Sequence, residues 1–137
     1  MHIKLLFAVA ALFLICPNHV AAQQKPSVVI GSLLKDAKQG DPKSQLELAA
    51  AYLDGHGVPQ DFVEAIKWFR KAADQGYAEA QNWLGKLYYD GNGVPQDYAE
   101  AMKWYRKAAG QGHGAAQINL EMMKRKGIGV PQNRQEP

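Results

Sequence analysis

A chain of 137 residues with a formal net charge of +3 and 21% charged side chains is too mildly basic to point to a nucleic-acid partner. Its single cysteine, Cys16, lies in the apolar amino-terminal stretch, which rules out an internal disulfide framework or a cysteine-based metal site. Stability must come from packing, and about 115 residues suffice for one modest core that buries roughly two-thirds of the unfolded surface.

Met1–Ala22 reads as a secretory signal peptide. Lys4 lies near the start, Leu5–Ile15 is an apolar run, and Val20-Ala21-Ala22 offers small residues for a cut before Gln23. The run is shorter than the roughly 20 apolar residues that span a bilayer. The expectation is export, periplasmic or secreted, with no stable membrane insertion once the signal is gone. An uncleaved anchor is the alternative. Phe13-Leu14-Ile15 lacks the small residue expected before a lipid-carrying Cys16. Lys4 is the one ionised side chain in this stretch, so its removal takes the net charge from +3 to +2.

The remainder is periodic. Residues 55–76 and 91–112 are offset by 36 positions, and 16 of their 22 paired residues are identical. A period of this size is the signature of stacked structural repeats. Lys35-Asp36-Ala37-Lys38-Gln39-Gly40 extends the pattern toward the start, and Gly127–Asn133 repeats its glycine turn at the end. The chain thus holds half a unit, two whole units and another half.

In chain order, Ser27–Gln39 reads as the second helix of an incomplete first unit, with Val29, Ile30, Leu33, Leu34 and Ala37 as its apolar positions. Shorter, alanine-rich helices follow at Pro42–Asp54, Ala78–Asp90 and Gly114–Lys126. Asp41 can cap the earliest, with Pro42 at the first helical position. The second helix of unit one spans Asp61–Gln75. Asp61 is a good N-cap and Glu64 completes a capping-box pair; Asp97 and Glu100 repeat it. Phe62, Ala65, Ile66, Phe69 and Ala73 form one apolar stripe, matched by Tyr98, Ala101, Met102, Tyr105 and Ala109. Gly76 and Gly112 fall where a left-handed C-cap is needed. Between helices lies G-x-G-V-P-Q, an ordered turn whose valine can point inward and whose helices must lie antiparallel.

The last helix ends the pattern. Glu121 and Lys124 stand where the preceding unit has Gly85 and Tyr88, polar choices that suit a terminal helix facing water. Asn133 sits at a cap position, but four residues cannot nucleate a helix. The last glycine turn and 133–137 are therefore expected to be loose. Ile118, Leu120, Met122 or Met123 would then be partly uncovered and could serve self-association, unless the tail folds back over them.

Leu84-Gly85, Tyr88, Gly91, Gly93-Val94, Asp97, Ala101, Trp104, Ala108 and Gly112 closely resemble the motif of the Sel-one-like repeat (SLR) family, related to tetratricopeptide repeats. The resemblance covers about Leu33–Gln132. It implies an all-α fold, a right-handed α–α superhelix of two full and two half repeats over residues 23–132. It also implies a role as adaptor or scaffold for another protein. A cysteine-rich secreted branch of the family is associated with penicillin binding and β-lactam hydrolysis, which makes a cell-wall or β-lactam hydrolase the alternative. That branch carries paired cysteines in each repeat, and residues 23–137 contain none.

The chemistry available is sparse. His56 sits in a turn where the other copies have Asn92 and Ile128, and His113 precedes a helix start. No His-x-x-x-His or Cys-x-x-Cys spacing offers a zinc ligand set. Ser27, Ser32 and Ser44 lie in no nucleophile elbow, and the paired carboxylates fall at caps. The reading is no catalytic, cofactor-binding or metal site. Trp68 and Trp104 recur at the period and are assigned to packing. Trp83 replaces Glu47 and Asn119 of the other copies, and Tyr89 replaces Leu53 and Arg125. The resemblance puts the first helices on the concave face, so Asn82, Trp83, Lys86 and Tyr89 are the expected partner contacts. A module for envelope polysaccharide is a third reading.

Overall fold

The computed structural model describes residues 28–129. The stretch 1–22, expected to be a signal peptide, and the tail 133–137 lie outside the described residues. Six helices and no strand occur among those described: α1 (Val28–Lys38), α2 (Pro42–Asp54), α3 (Phe62–Asp74), α4 (Ala78–Asp90), α5 (Tyr98–Gly110) and α6 (Gly114–Arg125). The expected boundaries hold to within a residue at each end. Every helix packs against its neighbours in the chain, and the pairs within a unit, α2 with α3 and α4 with α5, pack most extensively.

The ends of the helices follow from the cap residues. Asp61 Oδ1 accepts from the N–H groups of Val63 and Glu64, and Asp97 Oδ1 from that of Glu100. Asp41 caps α2 through the Ser44 N–H at 2.7 Å, and hydrogen bonds from Ser44 hold its carboxyl below the usual carboxylate range. The reciprocal half of the capping box does not form. The N–H groups of Asp61 and Asp97 already donate to the Tyr52 and Tyr88 carbonyls at 2.9 Å. Glu64 and Glu100 therefore turn to Lys67 and Lys103 on the outer face.

The glycine turns lock one unit onto the previous one. Gly93 has φ of 73°, a left-handed conformation that costs other residues energy. A Cβ there would lie 2.7 Å from the Phe62 Cβ and 2.9 Å from Ile66 Cδ1. Bare backbone is thus what lets the turn of unit two touch the start of α3. Val58 is buried beneath its own turn. Gln60 and Gln96 close the turns by donating to the Leu53 and Tyr89 carbonyls, each at 2.8 Å.

The core repeats with the chain. Leu48, Phe69, Leu84, Met102 and Met123 are its largest fully buried side chains. Gly85 admits the Tyr105 ring, since a Cβ there would sit 2.6 Å from it. The two repeated tryptophans occupy matching places. Trp68 is 7% and Trp104 4% exposed, and each ring lies under the lysine one turn on, Lys71 at 4.3 Å and Lys107 at 4.4 Å.

At the carboxyl end Ile118 is exposed, Leu120 and Met122 are half-buried, and Met123 is fully buried. The expectation of partial uncovering therefore holds for three of the four. Of the last glycine turn only 127–129 lie among the described residues, and there Gly129 repeats the contact made by Gly93. A Cβ on Gly129 would lie 2.6 Å from the Tyr98 carbonyl oxygen and 3.1 Å from Met123 Cε, and Ile128 joins the same apolar cluster.

Gly93→Ala should destabilise the fold by about 1–3 kcal/mol through backbone strain and overpacking. Gly110→Ala meets nothing within 4 Å on α5 and should be neutral or stabilising by up to about 1 kcal/mol. Urea denaturation of both variants checks the contrast.

Candidate functional site

The first helices of the units, α2, α4 and α6, are fixed by a ladder of glutamines. Buried Gln45 and Gln81 donate through Nε2 to the carbonyls of Ala37 and Ala73, at 3.0 and 3.1 Å. Each carries a second bond, since Gln75 and Gln111 donate to their Oε1 atoms at 2.8 and 2.9 Å. Gln117 repeats the first bond toward Ala109 at 3.4 Å. An amide can accept and donate at once, so Gln45 and Gln81 each tie three successive helices together. The sequence reading missed this, although glutamine recurs at 39, 75 and 111 and at 45, 81 and 117.

The ladder sets which faces of α4 meet solvent. Asn82 Oδ1 accepts from Asn119 Nδ2 of α6 at 3.2 Å, so this contact joins units. Trp83 is half-buried and stacked on Phe69, ring centroids 5.8 Å apart and planes 15° apart. Tyr89 tilts against Tyr98 at 5.2 Å. Lys86 stands exposed and reaches Asp90 at 3.1 Å along its own helix. The four expected contact residues thus lie on one helix but do not form one open patch. Two aromatic rings and one amide already have packing or hydrogen-bond partners. Trp83, an exception to the repeat pattern, stacks on the repeated core ring Phe69.

A second arrangement crosses the units on the opposite helices. Arg70 of α3 donates to the Tyr88 hydroxyl, and its guanidinium lies 5.9 Å from the ring centroids of both Tyr88 and Trp104. The indole N–H of Trp104 is buried with no hydrogen-bond partner among the described residues. In the half unit before, Leu34 stands at the place of Arg70, and in the copy after, Lys124 stands at the place of Tyr88, so among the described residues the bridge occurs once. His113 is a further link. Its Nδ1 accepts from the Ala116 N–H at 3.3 Å, which leaves the proton on Nε2 to donate to Glu79 at 3.0 Å. It caps α6 and ties it to α4.

These side chains hold helices in register and present a surface. No set of three or more His, Cys, Asp or Glu side chains among the described residues could grip a metal ion. The Tyr105 hydroxyl is strongly perturbed. Burial pushes it far up, with smaller contributions from the Asp90 charge and Tyr89. A groove of about 430 Å³ lies beside α1 and α2, lined by Val29, Ile30, Glu47, Ala50, Ala51 and Asp54, together with the turn at His56 and Gly57. No helix among the described residues is long and apolar enough to cross a membrane.

Paired helices stacked at a fixed period define an α-solenoid of helical repeats. The Sel1 repeat family matches residues 42–77, 78–113 and 114–136. The chain belongs to that family. It is similar to the crystal structure of a protective antigen present in uropathogenic Escherichia coli strains and displaying an SLR fold. There the TM-score is 0.72 with 46% identity, over 74% of this chain and 22% of that one. A Sel1 repeat protein from Oxalobacter formigenes superimposes with a TM-score of 0.67 at 34% identity, over 78% of this chain and 49% of that one. The chain spans about a fifth of the first structure and half of the second. No curated protein matches. The SLR fold of these neighbours is the right-handed α–α superhelix expected from the sequence. Sel1 repeats generally mediate protein interactions, and their fold is typically a non-catalytic scaffold.

Gln81→Leu leaves Gln111 without its acceptor and should cost about 1–3 kcal/mol in denaturant unfolding. Gln117→Leu, at an exposed position, should stay within about 0.5 kcal/mol of the parent. The Tyr105 phenol keeps its proton to higher pH in the folded chain than in the unfolded one, whose value is about 10. Stability should be full below about pH 10 and fall as the pH rises toward the folded value. Tyr105→Phe should remove that part of the alkaline loss in thermal melts.

Proposed function

We propose that this chain is exported and acts as an adaptor that holds another protein along the outer faces of α2, α4 and α6. One observation carries the reading. On the first helices, packing positions such as Leu48 and Leu84 recur from unit to unit, while positions that reach solvent change in kind; on α3 and α5 even exposed positions such as Lys67 and Lys103 recur. Leu46, Asn82 and Ile118 share one place in the period; Glu47, Trp83 and Asn119 share the next; Ala50, Lys86 and Met122 share a third. A frame that repeats under a surface that varies suits recognition of one irregular partner. Holding those side chains on a rigid frame leaves little entropy to lose on binding. The segment Met1–Ala22 carries the export reading, because its apolar run and small-residue end suit a cleaved signal.

The stacking of Trp83 and Tyr89 decides how the face is tested. Truncating either ring would disturb packing as well as contact, so Lys86 is the informative site. A photoreactive side chain at Lys86 should give one protein adduct in the native envelope. The same group at Lys67, on the outer face of α3, should give none. Adducts confined to Lys67, or absent from both, would discard this face. The exported protein should begin at Gln23 by intact mass; a chain that retains Met1 would contradict export.

A further inference from the structure

The two ends of the described chain are unlike and complementary. α1 aligns with α3 and α5, the second helices of their units, while α6 aligns with α2 and α4, the first helices. Val29 on α1 is 72% exposed, whereas its counterparts Ala65 and Ala101 are fully buried against the first helix of their own unit. The groove of about 430 Å³ runs beside Val29, with Glu47 and Asp54 on its rim. In unit two the matching place is filled by Trp83 stacked on Phe69; here Glu47 and Leu33 stand instead. At the other end Ile118 is 70% exposed and Gln117 is exposed, where Gln45 and Gln81 are buried.

We propose that α6 of one copy seats on α1 and α2 of a second copy, so that two half units close into a whole one. The register follows from contacts already present between units. Asn82 meets Asn119, so the same step places Ile118 of one copy against Glu47 and the apolar floor of the groove in the next. Two turns on, Arg125 comes opposite Asp54. The glutamine ladder continues across the joint. Gln39 of the second copy is the counterpart of Gln75 and Gln111, and Gln117 of the first is the counterpart of their acceptors Gln45 and Gln81. Charge favours a second copy as occupant, because α6 ends in Lys124, Arg125 and Lys126 while the groove rim is acidic. Glu121 stands where Gly85 meets Tyr105, but the second copy offers Leu33 there, shorter than an aromatic ring. Glu121 is also already paired with Lys124 at 3.3 Å. The joint uses different surfaces on its two sides, so copies add in line and do not close as a two-fold dimer. It rests on the repeat geometry and not on the adaptor reading.

Sedimentation velocity of the purified protein over a range of concentrations tests the joint. A series of species that grows with concentration and shrinks with salt is expected. Val29→Glu and Ile118→Glu should each weaken association by roughly tenfold or more and leave circular dichroism unchanged, since both positions are exposed. Mixed together, the two variants should form a heterodimer and stop there, because each keeps one intact end. Glu121→Ala, the choice made by Ala49 in unit one, should tighten association. A protein monomeric at the highest attainable concentration would overturn the proposal, as would a mixture that associates no better than either variant alone. If residues 1–27 of the same chain cover the groove, the protein stays monomeric and Val29→Glu lowers thermal stability instead, which also overturns it.

Discussion

No hairpin of this chain has a dry interior of its own. Each becomes dry only when the next hairpin lies against it, and the chain builds that dependence in at two places. The bare backbone of Gly93 touches Phe62 and Ile66 of the preceding unit. The buried glutamines bind a carbonyl at the end of the preceding unit and are bound in turn by the end of their own. Both devices act between nearest neighbours, so stability adds along the chain unit by unit. A chain with no disulfide in its folded part has no other staple.

The same interlock fixes what is left to face outward. The ladder holds α2, α4 and α6 in register, and the Arg70 bridge to Tyr88 and Trp104 ties α3 to the unit that follows. His113 does the same between α6 and α4. Gln45, Gln81, Arg70, Asn82 and His113 are thus occupied in joining helices of neighbouring units. The solvent-facing positions of α2, α4 and α6 vary from unit to unit, whereas those of α3 and α5, Lys67 with Lys103 and Lys71 with Lys107, recur. Rigid spacing with variable decoration is what a protein-interaction repeat offers, and the adaptor role proposed above is built on it.

Much of this was legible in the sequence, for a physical reason. Helix caps, apolar stripes and glycine turns are local, and a 36-residue period repeats them until their meaning is fixed. Asp61, Gly76 and the Gly91–Gly93 turn could each be read from their immediate neighbours. What escaped were contacts between positions about 30 residues apart. Gln75 with Gln45 leaves only a recurrence of glutamine in the sequence, which looks like surface polarity until the partner is seen. Trp83 was legible as an exception to the period but not as a ring stacked on Phe69, because Phe69 is itself a repeated core residue. Glu64 reads as half of a capping box, yet the Asp61 N–H it would reach is already taken by Tyr52 across the turn.

Native-state amide hydrogen exchange along residues 28–129 tests most directly whether neighbours supply one another's stability. α2, α3, α4 and α5, each packed on both sides, should exchange last, with α1 and α6 opening first and protection rising toward the middle. Equal protection in all six helices, or a terminal helix more protected than α4, would contradict the account.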